Sequence, residues 1–268
     1  MKPAAFIFDL DGTLIDSEEA WARAIVDWLA DRGQSTTVDA VLPVVFGHSW
    51  PDVDATLHAT FPALGVARPS DDAKELRRYH DRIVQDPESQ IIPGAVAFLK
   101  RVSRLAPCVI VSGSPHVDVQ AAAELCGVAG CLNFVLGAED YGRGKPAPDG
   151  FLKAASMLDV DASECVVVED STAGVAAGRA AGMHIIGIDR VPQCPQDFSG
   201  CDWLVHDLSE LDVNAVFGED VGLKDQAKLK ASVLTHQSIA LTQQATQQAR
   251  SLIGKIVERG NDILKKGM

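Results

Sequence analysis

Short runs of apolar, largely β-branched residues at 4–8, 108–111, 134–136, 165–168 and 184–188, with a weaker one at 203–205, constrain the fold of this chain more than any other feature. Between them lie stretches with the three- and four-residue apolar spacing of amphipathic helices, at 95–104, 117–126, 148–158 and 173–181. Runs without polar alternation need burial on both faces, and strands separated by helices are joined by crossovers rather than hairpins. The expectation is an α/β protein with a Rossmann-like parallel sheet core and helices on both faces. In such sheets ligands collect outside the carboxyl ends of the strands, where the strand order reverses.

Two segments break the alternation. Residues 17–87 carry only helical pattern, at 18–31, 51–61 and 72–85, and the sheet is expected to resume near Ile91-Ile92-Pro93-Gly94. This reads as an inserted helical cap over the active end of the sheet, so that the core takes residues 1–16 and 88–218 and the cap 17–87. Residues 219–268 carry a net charge of +3 against −16 for the rest of the chain. In them Leu234, Leu241, Ala245, Ala249, Leu252, Ile256 and Ile263 recur at mostly three- and four-residue spacing. This predicts a C-terminal helical tail that packs on its own body, mediates self-association or binds a protein partner.

The 268 residues, 47% hydrophobic, suffice for one substantial core and a smaller unit. A formal charge of −13 argues against a surface built for nucleic acid or anionic membrane. Six cysteines without a CxxC pair, and no apolar stretch long enough to span a bilayer, predict a reduced cytoplasmic protein.

The chemistry is concentrated at the ends of the apolar runs. Asp9-Leu10-Asp11-Gly12-Thr13 follows the first, delivering two carboxylates two residues apart into a loop. Such a pair can hold a hard cation and attack a phosphorus centre in one site. Glu169-Asp170 follows the 165–168 run and can complete an oxygen-rich site for Mg2+, or Asp170 can cap the helix opening at Ser171-Thr172. Ser112, after 108–111, offers a hydroxyl beside the amides of Gly113 and Ser114, with a helix N-terminus behind Pro115. Lys145, in Gly144-Lys145-Pro146-Ala147-Pro148, is a point charge in a stiff loop. Trp21, His48 and Trp50 are candidate substrate contacts in the cap, although Trp21 could equally be a core residue.

These motifs, in this order, resemble the haloacid dehalogenase superfamily of phosphohydrolases, in the branch whose helical cap follows the first motif. The resemblance runs from about residue 4 to 216 through DLDGT, VIVSGS, GKPAPD and VVVEDSTAG, and excludes the tail. It implies that Asp9 forms an aspartyl-phosphate and that Asp11 acts as acid, then as base. It further implies that Ser112, Gly113, Lys145 and Thr13 serve the phosphoryl group, and that Asp9, Asp11 through its main-chain carbonyl, Glu169 and Asp170 surround Mg2+. The expected activity is Mg2+-dependent hydrolysis of a small sugar, sugar-alcohol or sugar-acid phosphate, with a small phosphorylated metabolite as partner. A β-phosphoglucomutase-like phosphosugar mutase is the rival enzyme. Against it, Trp21 stands where that pattern has a histidine, and Gly47-His48-Ser49-Trp50 where it has an arginine. A binding or regulatory protein acting through the C-terminal helix is the alternative of another class.

Overall fold

The computed structural model describes residues 2–48, 50–66 and 69–217; the predicted tail at 219–268 lies outside them. Six parallel strands, β1 (Ala5–Phe8), β2 (Cys108–Val111), β3 (Phe134–Leu136), β4 (Cys165–Glu169), β5 (His184–Ile188) and β6 (Trp203–Val205), lie in the order β3-β2-β1-β4-β5-β6. All residues of β1, β2 and β4 are buried, as their unbroken apolar runs require. From β1 the chain winds outward through β2 and β3 on one side, then returns to build β4, β5 and β6 on the other. The reversal falls at β1, where Phe8 pairs with Ile110 on one side and Val168 on the other.

Strand alternation divides the core between two faces. Phe6, Phe8, Ile110 and Val168 point into one cluster with Phe98 and Leu99 of α5 (Pro93–Val102) and Val119 of α6 (His116–Leu125). Ala5, Ile7, Val109 and Val167 point into the other, with Phe151 of α7 (Asp149–Leu158) and Val175 of α8 (Thr172–Ala180). A last short helix, α9 (Val213–Phe217), adds Val213 and Val216 to the first cluster.

Between β1 and α5 lie four helices, α1 (Glu18–Ala30), α2 (Val38–Val45), α3 (Trp50–Thr60) and α4 (Pro69–Ile83). They share an apolar cluster of their own, including Ile25, Trp28, Leu29, Val41, Leu57 and Leu76. The sequence pattern missed α2, a short helix rich in β-branched residues with Pro43 inside it. Thr37 nevertheless caps it, accepting from the Ala40 amide at 3.3 Å. The sheet does not resume at 91–94: Ile91 forms an isolated antiparallel bridge to Ile15, and Pro93 opens α5. Proline at the first helical position is compatible with helix and has no amide for a ladder, which is why the apolar Ile91-Ile92 pair does not extend into a strand.

Candidate active site

The carboxyl ends of β1, β2 and β4 bring the sequence-distant motifs together. The Asp9 amide continues the ladder by donating to Val168 O at 2.9 Å, and the Ser112 amide donates to Leu136 O at 3.0 Å. Asp9, Glu169 and Asp170 are all buried, and one carboxylate oxygen of each lies within 4.8 Å of the others. Lys145 donates to both Asp9 Oδ1 and Glu169 Oε1. It is no solvated surface lysine, since only 15% of its side chain is exposed.

The charge balance is unusual for a buried site. Burial pushes the Asp9 carboxyl up, Lys145 pulls it back, and Glu169 and Asp11 push it up again, to about 8. Asp170 is likewise held well above the ordinary carboxylate range by burial, then by Glu18, Asp9 and Glu169. Burial alone would lower Lys145, but its two carboxylate partners more than offset that and hold it above the usual lysine range. A single ammonium therefore faces a cluster of carboxylates that lacks positive charge.

A divalent cation fits this deficit. Asp170 Oδ2 is buried without a hydrogen-bond partner, while its Oδ1 accepts from Thr13 Oγ1 at 3.2 Å. Gly12, at φ +82°, leaves the space: a Cβ there would lie 1.9 Å from Asp170 Oδ2. Oxygen-only donors suit a hard cation such as Mg2+. Asp9 and Asp170 would hold it. Glu169 is more fully committed, with Oε1 on Lys145 and Oε2 accepting from the Asp170 and Ser171 amides and from Ser171 Oγ.

The Asp11 carboxylate is held by hydroxyls outside the cation cluster, in keeping with a role that is not a side-chain ligand: its Oδ1 accepts from Ser17 Oγ at 2.8 Å, and its Oδ2 from Ser114 Oγ at 2.8 Å and Ser112 Oγ at 3.3 Å. Two sequence expectations change in detail. The Thr13 hydroxyl is fully buried on Asp170 rather than facing the phosphoryl position, because the tight turn at Gly12 aims it across to β4. Asp170 does not cap α8; Ser171 does, accepting from the Gly174 amide at 3.0 Å, which leaves Asp170 free for the site.

A cavity of about 200 Å3 opens above these groups. The sheet core supplies Asp9, Asp11, Ser112, Gly113, Lys145 and Asp170 to its lining, and the helical segment between β1 and α5 supplies Trp21, His48 and Trp50. The sequence assigned no role to Ser17, Glu18 or the Ser114 hydroxyl, whose residues also line it. The Ser112-Gly113-Ser114 repeat, with both hydroxyls on one side of an extended turn, was the available signal for Ser114.

A parallel sheet whose strand ends gather a buried acid cluster, a lysine and a serine-rich loop defines an α/β enzyme with its site at the strand-order reversal. Residues 3–182 match the model of the haloacid dehalogenase-like hydrolases. The chain is 33% identical to hexitol phosphatase A of Escherichia coli K12 over 82% of its own length and 99% of that protein's. It is 31% identical to β-phosphoglucomutase of Mycobacterium bovis over 78% of its length and 92% of that protein's. A haloacid dehalogenase family hydrolase of Deinococcus radiodurans with bound phosphate and sodium superposes with a TM-score of 0.61 at 27% identity, covering 80% of this chain and 94% of that one. This chain belongs to the haloacid dehalogenase-like hydrolases, and it is an enzyme of that family.

Proposed function

We propose that the protein is a Mg2+-dependent phosphomonoester hydrolase acting on a small polyhydroxylated metabolite through an aspartyl-phosphate. The observation that carries this reading is the buried Asp9–Glu169–Asp170 cluster, with Lys145 on Asp9 and an unpartnered Asp170 oxygen, opening onto a cavity of metabolite size. The relatives named as hexitol phosphatase and as validoxylamine A 7'-phosphate phosphatase support it.

Bound Mg2+ supplies positive charge that keeps Asp9 ionised and offsets the phosphoryl oxygens. Asp9, at the end of a rigid central strand, supplies the attacking oxygen. Lys145 holds Asp9 in place and neutralises the transferring group. Ser112, whose contact to Asp11 is the longest of the three hydroxyl contacts, turns to a phosphoryl oxygen together with the Gly113 amide. Asp11, fixed by Ser17 and Ser114, gives its proton to the leaving oxygen and then takes one from the attacking water. The division into a core of residues 1–16 and 88–218 and a cap of 17–87 belongs to this reading, with the cap excluding bulk water during transfer.

The test is phosphate release from a panel of phosphometabolites with and without EDTA, combined with rapid-quench detection of phosphoenzyme. Turnover should depend on Mg2+, and Asp9→Asn should abolish both turnover and phosphoenzyme. Chelation-insensitive turnover, or wild-type rates in Asp9→Asn, would overturn the assignment.

A further inference from the structure

We propose that this site selects phosphate esters whose leaving group is an uncharged polyol with one apolar face, and rejects esters carrying a second anionic group. The inference rests on the hydrolase reading above and narrows its substrate class. Of the lining residues that α1, α2 and α3 supply, Trp21, Ile25, Val45, Trp50 and Val53 are apolar and form one wall of the cavity. The aromatic part of that wall is fixed in place: the Trp21 ring stacks on His80, with centroids 4.1 Å apart and planes 20° apart, and lies 6.4 Å from the Trp50 ring. An indole surface held in this way receives the C–H face of a polyol without losing side-chain freedom on binding.

The polar side chains of the lining are ones that a hydroxyl, which both donates and accepts, can serve. Glu18 lines the cavity, and its Oε2 is buried with no partner. His48 Nδ1 lies 2.9 Å from Phe46 O, so that nitrogen carries a proton and is already engaged, which leaves Nε2 for a substrate hydroxyl. Among the described residues lining the cavity, Lys145 is the one Lys or Arg, and Asp9 and Glu169 already hold it. Arg77 comes within 5.5 Å of the Trp21 ring centre, but its guanidinium is paired with Asp118 at 2.5 Å and is not part of the lining. A carboxylate or second phosphate at the far end of the leaving group would therefore be buried with no free Lys or Arg of the lining to pair with.

The experiment uses three esters that differ mainly at the end remote from the reacting phosphate: a hexitol 6-phosphate, the matching aldonate 6-phosphate and a hexose 1,6-bisphosphate. Acetyl phosphate, which has almost no leaving group to place, reports the hydrolase chemistry separately. The wild-type enzyme should hydrolyse the aldonate and the bisphosphate with kcat/KM at least about 10²-fold below the hexitol ester, the effect of an unpaired buried charge. Val45→Lys, which adds a cation to the same wall, should narrow that ratio at least about tenfold. A wild-type ratio near one, whether the esters are all good or all poor, overturns the proposal while acetyl phosphate is still turned over, as does an unchanged ratio in a folded Val45→Lys. Loss of acetyl phosphate turnover as well would instead overturn the hydrolase reading.

Discussion

Asp9 and Asp11 stand two residues apart in one loop, yet their surroundings assign them opposite tasks. Asp9 is 7% exposed, ion-paired to Lys145 and beside the cation cluster, which suits an oxygen that must stay ionised and attack. Asp11 is half-buried and held by three hydroxyls, none of them charged, which suits a group that must gain and lose a proton. Asp11→Asn should therefore slow turnover by about 10²- to 10⁴-fold, the usual worth of positioned acid–base help, with the smallest deficit for aryl phosphates, whose leaving groups need little protonation. Steady-state rates on matched alkyl and aryl esters decide it. An equal deficit on both classes would mean that Asp11 acts otherwise.

At the scale of elements, the helix starts are shaped by the site. Ser17 occupies the N-cap position of α1, but its hydroxyl goes to Asp11 and caps nothing. Local helix stability yields there to the site. The start of α8 is arranged differently, with Ser171 capping while Gly174, one turn in, leaves room for Glu169. A Cβ at Gly174 would lie 1.8 Å from Glu169 Cδ. Gly174→Ala favours the helix by about 1 kcal/mol in propensity, yet it displaces the carboxylate that anchors Lys145. It should lower turnover and Mg2+ affinity by about 10- to 100-fold with helix content unchanged by circular dichroism. The helical segment also meets the core directly: Gly47, at φ +70°, would put a Cβ 2.9 Å from Ser171 Cβ, and Arg77 of α4 pairs with Asp118 of α6 at 2.5 Å. Both contacts sit beside the cavity wall, so the position of Trp21, His48 and Trp50 depends on them.

For the whole molecule, the acid cluster links folding to pH and to the cation. In metal-free protein Asp9 titrates at about 8, and Asp170 and Glu18 are raised in the same direction by burial and by neighbouring carboxylates. Between about pH 4 and 8 the folded chain thus keeps protons that the unfolded chain has released, and stability falls as pH rises through that window. Lys145 does not reverse the trend, because a raised lysine keeps its stabilising contribution throughout that range. The melting temperature of EDTA-treated protein should fall by about 5–10 °C from pH 5 to pH 8. Added Mg2+ should raise it more at pH 8, where it competes with fewer protons. Scanning calorimetry at both pH values, with and without Mg2+, checks this; an equal Mg2+ increment at pH 5 and 8 would count against a cation among these carboxylates. Among the described residues no helix is long and apolar enough to cross a membrane.

The sequence by itself determined the sheet. Runs such as 108–111, 134–136 and 184–188 became strands with the same bounds, because a buried parallel strand has to be apolar on both faces and leaves no ambiguity of register with solvent. It also determined which motifs carry chemistry, since strand ends are where a parallel sheet presents side chains. What only the tertiary structure decided are the pairings across the strands. Thr13 finds Asp170 157 residues away, Ser114 finds Asp11 103 residues away, and Lys145 bridges Asp9 and Glu169. α2, with its proline and β-branched residues, is helical because Val41 packs with α1 and α3, not because its own propensity favours helix. The apolar cavity wall depends on the same packing, because Trp21, Ile25, Val45, Trp50 and Val53 come from three helices whose facing sides no periodicity in one chain can specify.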